Sequence, residues 1–339
     1  MINIANFLLT RKCNLHCGYC RISGDLNYKD KPKEYPNADY YYTKEQPAKF
    51  WINLIDRLVK HNPNIFTILY GGEPTLYKDL IPLVKHMKDI GANYTIISNC
   101  SMSIFEQLDQ LFKQVGKIKG FTASIDPPRE RYTYLDLDTY SKSDNGYKML
   151  LRLMELDQIE DPVAEITCDV ETILTAETLI KELTSKGICS DLTVLDIAKT
   201  LYYDFSSITD PRYLVPKNEE VKEVFDRLIN SDYNIHMKDT LLPAIYEILP
   251  ADLDCNLRIN NLHNITIDAD GFLRLCLRIR GVETPQYSPF DLLLPDGEPT
   301  AYRSYAERAV EMDKENLCQK CSWTCSIMSQ LDYNKVLNH

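Results

Sequence analysis

The sequence predicts an α/β protein built on an open or partial barrel of parallel strands. Two observations lead there. Six strand-like runs alternate with helical patterns up to residue 198, as successive parallel βαβ units do. Six repeats are too few to close the eight-stranded barrel, so an incomplete one fits better. The composition agrees: 339 residues with 44% apolar and 26% charged side chains lie in the ordinary globular range, with room for a sizeable core and roughly two domains.

The elements follow in order. Residues 2–10 read as the first strand. Thr43-Lys44-Glu45-Gln46 has capping-box spacing, followed by Trp51, Leu54, Ile55 and Leu58 on one helical face. Residues 65–70 form the second strand, stopped by Gly71-Gly72, and a helix over 77–91 ends at Gly91. Residues 93–99 form strand three. Ser103 to Glu106 is a second capping box, opening a helix that carries Leu108, Leu111, Phe112 and Val115. Strand four covers 119–126, a helix 146–156, strand five 163–171, a helix 175–186 and strand six 192–198. Beyond about residue 240 the pattern changes. Residues 263–267 and 272–276 flank Asp268-Ala269-Asp270-Gly271 and predict a hairpin. We therefore expect two domains, 1–245 and 246–339.

Charge and targeting signals narrow the function. Lys and Arg number 38 against 49 Asp and Glu, a net charge of −11. A chain that grips many phosphates is normally basic, so nucleic acid is not expected as a partner, nor is an anionic membrane surface. No apolar run approaches the ~18 residues of a membrane helix. The first residues carry no export signal, so the expected location is the cytoplasm.

Eleven cysteines are many for that compartment, where thiols stay reduced and clustered cysteines hold metal or do chemistry. Cys100, Cys168 and Cys189 stand alone and read as small buried hydrophobes. The rest fall in two groups. Cys13, Cys17 and Cys20 follow strand one, with three and then two residues between them. Three thiolates so spaced suit three irons of a four-iron cube and leave the fourth iron open. Structural zinc would need a further nearby ligand, and only His16, between the cysteines, is available.

The Cys13–Cys20 segment, with aromatic Tyr19 before its last cysteine, resembles the CxxxCxΦC motif of the radical SAM superfamily. Gly71-Gly72-Glu73-Pro74 at the end of strand two resembles that family's GGEP motif. The resemblance implies a [4Fe–4S] cluster on the three cysteines whose open iron binds S-adenosylmethionine. It places Gly71, Gly72, Glu73 and Pro74 at the amino group of that cofactor and Tyr19 beside the adenine. Ser98 and Asn99 at the end of strand three, and Ser124 and Asp126 at the end of strand four, resemble residues used around the ribose and methionine. As turn formers at a strand end, Ser98 and Asn99 have an equally good structural reading.

Cys255, Gly271, Cys276, Cys318, Cys321 and Cys325 resemble the C-terminal SPASM or Twitch region of the same superfamily. With five cysteines, the shorter Twitch form with one auxiliary [4Fe–4S] cluster fits better. Cys255, Cys276, Cys318 and Cys321 are the first choice of ligands, and Cys325 is a possible replacement. A four-cysteine zinc site is the alternative.

In strand five the polar residues Glu165, Thr167, Asp169 and Glu171 alternate with Ala164, Ile166, Cys168 and Val170. Outer helices require the apolar set, so Glu165 and Asp169 are expected to face a cavity and to hold a cationic or hydroxylated substrate. The alternative is ordinary polar packing. The expected fold is thus a partial (β/α)6 radical SAM barrel with a smaller Twitch-like domain. Its expected activity is reductive cleavage of S-adenosylmethionine to a 5′-deoxyadenosyl radical that takes hydrogen from a peptide or protein side chain. A flavodoxin or ferredoxin would donate the electron. A small molecule such as a sugar is the alternative substrate, and a non-catalytic metal-binding scaffold is the alternative of another class.

Overall fold

The computed structural model describes residues 2–15, 45–125, 138–194, 214–247, 249, 264–274 and 288–293. Six strands alternating with five helices build the frame. They comprise β1 (Ile4–Leu8), α1 (Ala48–His61), β2 (Phe66–Tyr70), α2 (Leu80–Asp89), β3 (Asn93–Ser98) and α3 (Phe105–Val115). The series continues with β4 (Ile118–Ser124), α4 (Asp138–Glu155), β5 (Ile159–Cys168), α5 (Ala176–Ser185) and β6 (Cys189–Val194). Helices α6 (Glu219–Asn230) and α7 (Lys238–Glu247) and the strands β7 (Asn264–Ile267) and β8 (Leu273–Arg274) follow.

The strands lie in the order β6-β5-β4-β3-β2-β1-β7-β8. All neighbours are parallel except β7 and β8, which form the predicted antiparallel hairpin. This is the partial α/β barrel that the alternating pattern predicts. The hairpin is not set apart from it: β7 hydrogen-bonds along β1, with Ile4 opposite Asn264 and Phe7 opposite Ile267.

Alternation along the strands builds the core. Ala5, Phe7, Leu69, Tyr94, Ile96, Phe121, Ala123, Ala164 and Ile166 point one way and are buried against the helices. The helices return matching stripes, such as Trp51, Leu54, Ile55 and Leu58 on α1. Phe7 and Trp51 meet with ring centroids 4.9 Å apart. Each fully buried Leu, Ile or Phe among them contributes about 1.5–3 kcal/mol of transfer free energy.

Several expected boundaries shift for local reasons. Helix α1 begins at Ala48, whose N–H donates to the Asp79 carboxylate, so Pro47 and not Thr43 occupies the cap. Ser103 does not cap α3: it lies in the 3₁₀ turn Met102–Ile104, and its hydroxyl accepts from the Asn14 amide. Strand β5 begins four residues earlier than predicted and ends at Cys168, leaving Asp169 and Glu171 outside it. Helices α6 and α7 have no counterpart in the sequence reading.

Candidate functional site

Chain segments 10–12 and 71–73 run side by side past the ends of β1 and β2. The Leu9 N–H donates to the Tyr70 carbonyl at 2.8 Å, Gly72 N–H to the Thr10 carbonyl at 2.8 Å, and Glu73 N–H to the Lys12 carbonyl at 2.7 Å. The two glycines are what allow this approach. A Cβ at Gly71 would stand 2.5 Å from the Thr10 carbonyl oxygen, and one at Gly72 2.2 Å from that of Lys12. Cys13 is thereby delivered at the C-terminal ends of the strands, the functional rim of α/β barrels.

The same loop is braced from two sides. Thr10 Oγ1 donates to Glu45 at 2.6 Å, and Lys12 pairs with Glu45 at 3.1 Å. Arg11 is buried and makes a two-pronged ion pair with buried Asp268, in the hairpin turn between β7 and β8. Gln46 holds that turn as well, donating from its backbone to Ala269 and from its side chain to the Asp270 carbonyl.

Glu73 is fully buried. Its Oε1 accepts from Thr75 N–H at 3.2 Å, Thr75 Oγ1 at 2.8 Å and Ser98 Oγ at 3.1 Å, and its Oε2 from Asn99 N–H at 2.9 Å. Burial pushes its carboxyl above the usual range, while the four donors pull it back. The side chain therefore ties the exit of β2 to the exit of β3. Pro74 opens the 3₁₀ turn Pro74–Leu76 that Glu73 caps.

Asn99 extends that tie to the cysteine loop. Its Oδ1 accepts from Ser101 N–H at 2.9 Å, and its Nδ2 donates to Asn14 Oδ1 at 3.0 Å and to Cys13 Sγ at 3.8 Å. Asn14 donates in turn to the hydroxyls of Ser101 and Ser103. A second donor, Leu15 N–H, lies 3.4 Å from Cys13 Sγ. Two N–H groups aimed at one sulfur suit a thiolate ligand of iron, so this corner fits the implied cluster. Cys17, Tyr19, Cys20 and Asp126, and Cys255, Cys276, Cys318, Cys321 and Cys325, lie outside the described residues.

The sheet face opposite the helices carries the polar set. Ser124, Glu165 and Asp191 are register neighbours across β4, β5 and β6, and Thr167 is opposite Thr193. Glu165 thus occupies the predicted face. The expectation for Asp169 is corrected. It lies past the strand end, where its Oδ1 accepts from Glu171 N–H, Thr172 N–H and Thr172 Oγ1 and closes the turn into Ile173–Thr175. An Asx turn followed by Thr was the local signal for this.

Asp191 was missed because strand six was placed three residues too late. Its side chain keeps 30% exposure, yet its Oδ1 is shielded from solvent without a partner among the described residues. Burial raises its carboxyl above the ordinary value, and His236, 4.0 Å away, only partly offsets this. A raised folded-state value means that stability falls as pH climbs through it. Asp191→Asn should raise the Tm at pH 7 by about 1–2 °C, the size of ~1 kcal/mol in a chain of this length. Below the unfolded carboxylate value of about 3.9 the gain should vanish. Thermal unfolding at pH 7 and pH 3 checks this, and a lower Tm of the variant at pH 7 contradicts it.

Comparison with known proteins adds to this geometry. Residues 7–156 match the profile of the Radical SAM superfamily. The PqqA peptide cyclase of Bradyrhizobium diazoefficiens is 28% identical over 104 residues, which cover 30% of this chain and 23% of that protein. The S-adenosylmethionine-dependent nucleotide dehydratase of Selenomonas ruminantium is 26% identical over 199 residues, 57% of this chain and 62% of that protein. The chain thus matches less than two thirds of the length of either relative. Among solved structures, Streptococcus suis SuiB bound to S-adenosylmethionine superposes with a TM-score of 0.61 at 15% identity, covering 90% of this chain and 68% of SuiB. SuiB bound to its precursor peptide SuiA gives 0.60 at 15% identity, covering 100% and 73%. The structure of anSMEcpe with bound AdoMet gives 0.57 at 13% identity, covering 100% and 98%. At these identities the structural likeness establishes the fold alone.

Proposed function

We propose, from the match of residues 7–156 to the profile of the Radical SAM superfamily, that the chain is an enzyme that binds a [4Fe–4S] cluster through Cys13, Cys17 and Cys20. S-adenosylmethionine would sit on that cluster, and a peptide or protein side chain would be the substrate. When bound, the pair supplies one-electron reductive cleavage and hydrogen-atom abstraction. The observation that carries this reading is the position of Cys13: it is fixed at the C-terminal rim of the parallel sheet by the Gly71–Glu73 segment and faced by two N–H donors. A flavodoxin- or ferredoxin-type protein would deliver the electron. Residues 246–339 would carry an auxiliary [4Fe–4S] cluster on four of Cys255, Cys276, Cys318, Cys321 and Cys325. No helix among the described residues is long and apolar enough to cross a membrane.

The choice of a peptide rests on the polar face of the sheet. Across β1–β6 the described residues of that face include Glu165 and Asp191 and no Lys or Arg. Two carboxylates side by side suit a basic or hydroxyl-bearing side chain, held by charge-assisted hydrogen bonds. They are poor company for a phosphorylated substrate. The PqqA cyclase, named for a peptide substrate, points the same way. A small-molecule substrate is the second reading, favoured by the longer match to the nucleotide dehydratase.

Release of 5′-deoxyadenosine from reconstituted protein under reductant tests the activity. Zinc in place of iron, with no iron–sulfur signal, would favour a metal-binding scaffold. Glu165→Gln tests the substrate side. It should lower substrate turnover about tenfold or more, the ~1.4 kcal/mol of one charge-assisted contact. Uncoupled cleavage of S-adenosylmethionine should stay within about twofold. Equal loss of both would place Glu165 in the cofactor site instead.

A further inference from the structure

The geometry points to Asn99 as a positioning residue that sets how readily the cluster accepts an electron, through the amide hydrogen bond it donates to the sulfur of Cys13. The inference rests on the cluster reading above and goes beyond it, because Asn99 was expected to serve the bound cofactor directly.

The amide has one allowed orientation. Ser101 N–H can only donate, so the Asn99 carbonyl oxygen must face it, at 2.9 Å. That turns Nδ2 toward Asn14 Oδ1 at 3.0 Å and Cys13 Sγ at 3.8 Å, one hydrogen for each. The Asn99 backbone is fixed independently by its N–H bond to Glu73 Oε2 at 2.9 Å. Asn99 is buried, with 9% exposure, so its amide dipole is weakly screened. Asn14, which takes the other hydrogen, is itself anchored by the hydroxyls of Ser101 and Ser103.

The physical consequence has a definite sign. One-electron reduction adds negative charge to a cluster and its thiolates. An N–H dipole aimed at a ligating sulfur stabilises the reduced form more than the oxidised form and raises the potential. Leu15 N–H, at 3.4 Å from the same sulfur, acts in the same direction through the backbone and cannot be removed by substitution short of proline. Asn99 is therefore the adjustable member of the pair. It links electron entry to the exit of β3, a different strand from the one that carries the cysteines.

The test is an EPR-monitored redox titration of the anaerobically reconstituted full chain, without substrate. The relevant signal is the one that disappears in Cys13→Ala. Asn99→Ala should shift its midpoint to more negative potential, with the reduced-to-oxidised ratio at fixed potential falling about tenfold, equivalent to ~59 mV for one electron. Asn99→Asp keeps the size of the side chain and the oxygen that faces Ser101 N–H but replaces the donor by an anionic oxygen. It should fold and shift the midpoint further in the same direction. An unchanged midpoint in either variant, with the Cys13-dependent signal present, overturns the inference and leaves the cluster reading intact. No Cys13-dependent signal in the unsubstituted protein overturns the cluster reading and the inference with it.

Discussion

Cys13→Ala is expected to reduce 5′-deoxyadenosine release under reductant to background while the fold survives. Cys13 is half-buried in a loop beyond β1, outside the apolar core. Its removal takes nothing from the pairing of β1 with β2 and β7. Two thiolates cannot hold the cube in the geometry that three provide, so iron should fall by about four per chain. The iron that remains would sit on the C-terminal cysteines. Anaerobic iron analysis, circular dichroism and product assay check the three parts together. Normal product from this variant would remove Cys13 from the chemistry.

Glu73→Gln is expected to destabilise the chain before it affects anything else. Each carboxylate oxygen already accepts a backbone N–H, from Thr75 on one side and Asn99 on the other. An amide must turn its NH₂ toward one of them, leaving a buried donor facing a donor. The cost is about 1–3 kcal/mol for the orphaned group. Glu73→Ala orphans both N–H groups and the hydroxyls of Thr75 and Ser98, on the order of 3 kcal/mol or more. That is a Tm lower by about 4 °C or more in a chain of this length. Binding of S-adenosylmethionine should weaken in step with the lost stability. An unchanged Tm with weakened binding alone would return the carboxylate to the ligand role that its motif implies.

Local features of the site were legible in the sequence, and long-range ones were not. Cys13 and Gly71-Gly72-Glu73 belong to short motifs visible in the sequence, and the structure brings them together past the ends of β1 and β2. The strand–helix alternation gave the sheet because apolar periodicity switches cleanly between Leu69 and Leu80 and again between Phe112 and Phe121. The contact of Asn99 with Cys13 joins residues 86 positions apart, and no periodicity encodes it. Asp169 misled because its polar neighbours continue the alternation past Cys168, where the turn chemistry of Thr172 had already taken over. Asp191 was lost to a strand boundary. Helix α6 was within reach: Asn218 caps it, accepting from Val221 N–H at 2.9 Å, and Glu219 and Glu220 fill its first turn. Val221, Val224, Phe225 and Leu228 supply its buried stripe.

The pairing of β7 with β1 has a consequence for how the chain is made. Strand β1 leaves the ribosome long before β7, yet among the described residues one of its two edges is covered by residues 264–267. Until those residues emerge, Ile4 to Leu8 present an open row of N–H and C=O groups beside apolar side chains. Such an edge is a template for pairing with another nascent chain. At about 5–20 residues per second the exposure lasts on the order of 13–50 seconds. The buried Arg11–Asp268 pair forms with the same closure, because Asp268 follows β7 directly. A ribosome stalled before residue 264 should therefore hold a chain whose first strand is protease-sensitive and prone to associate. One stalled with residues 264–274 exposed should protect it. Limited proteolysis of the two nascent chains distinguishes these states.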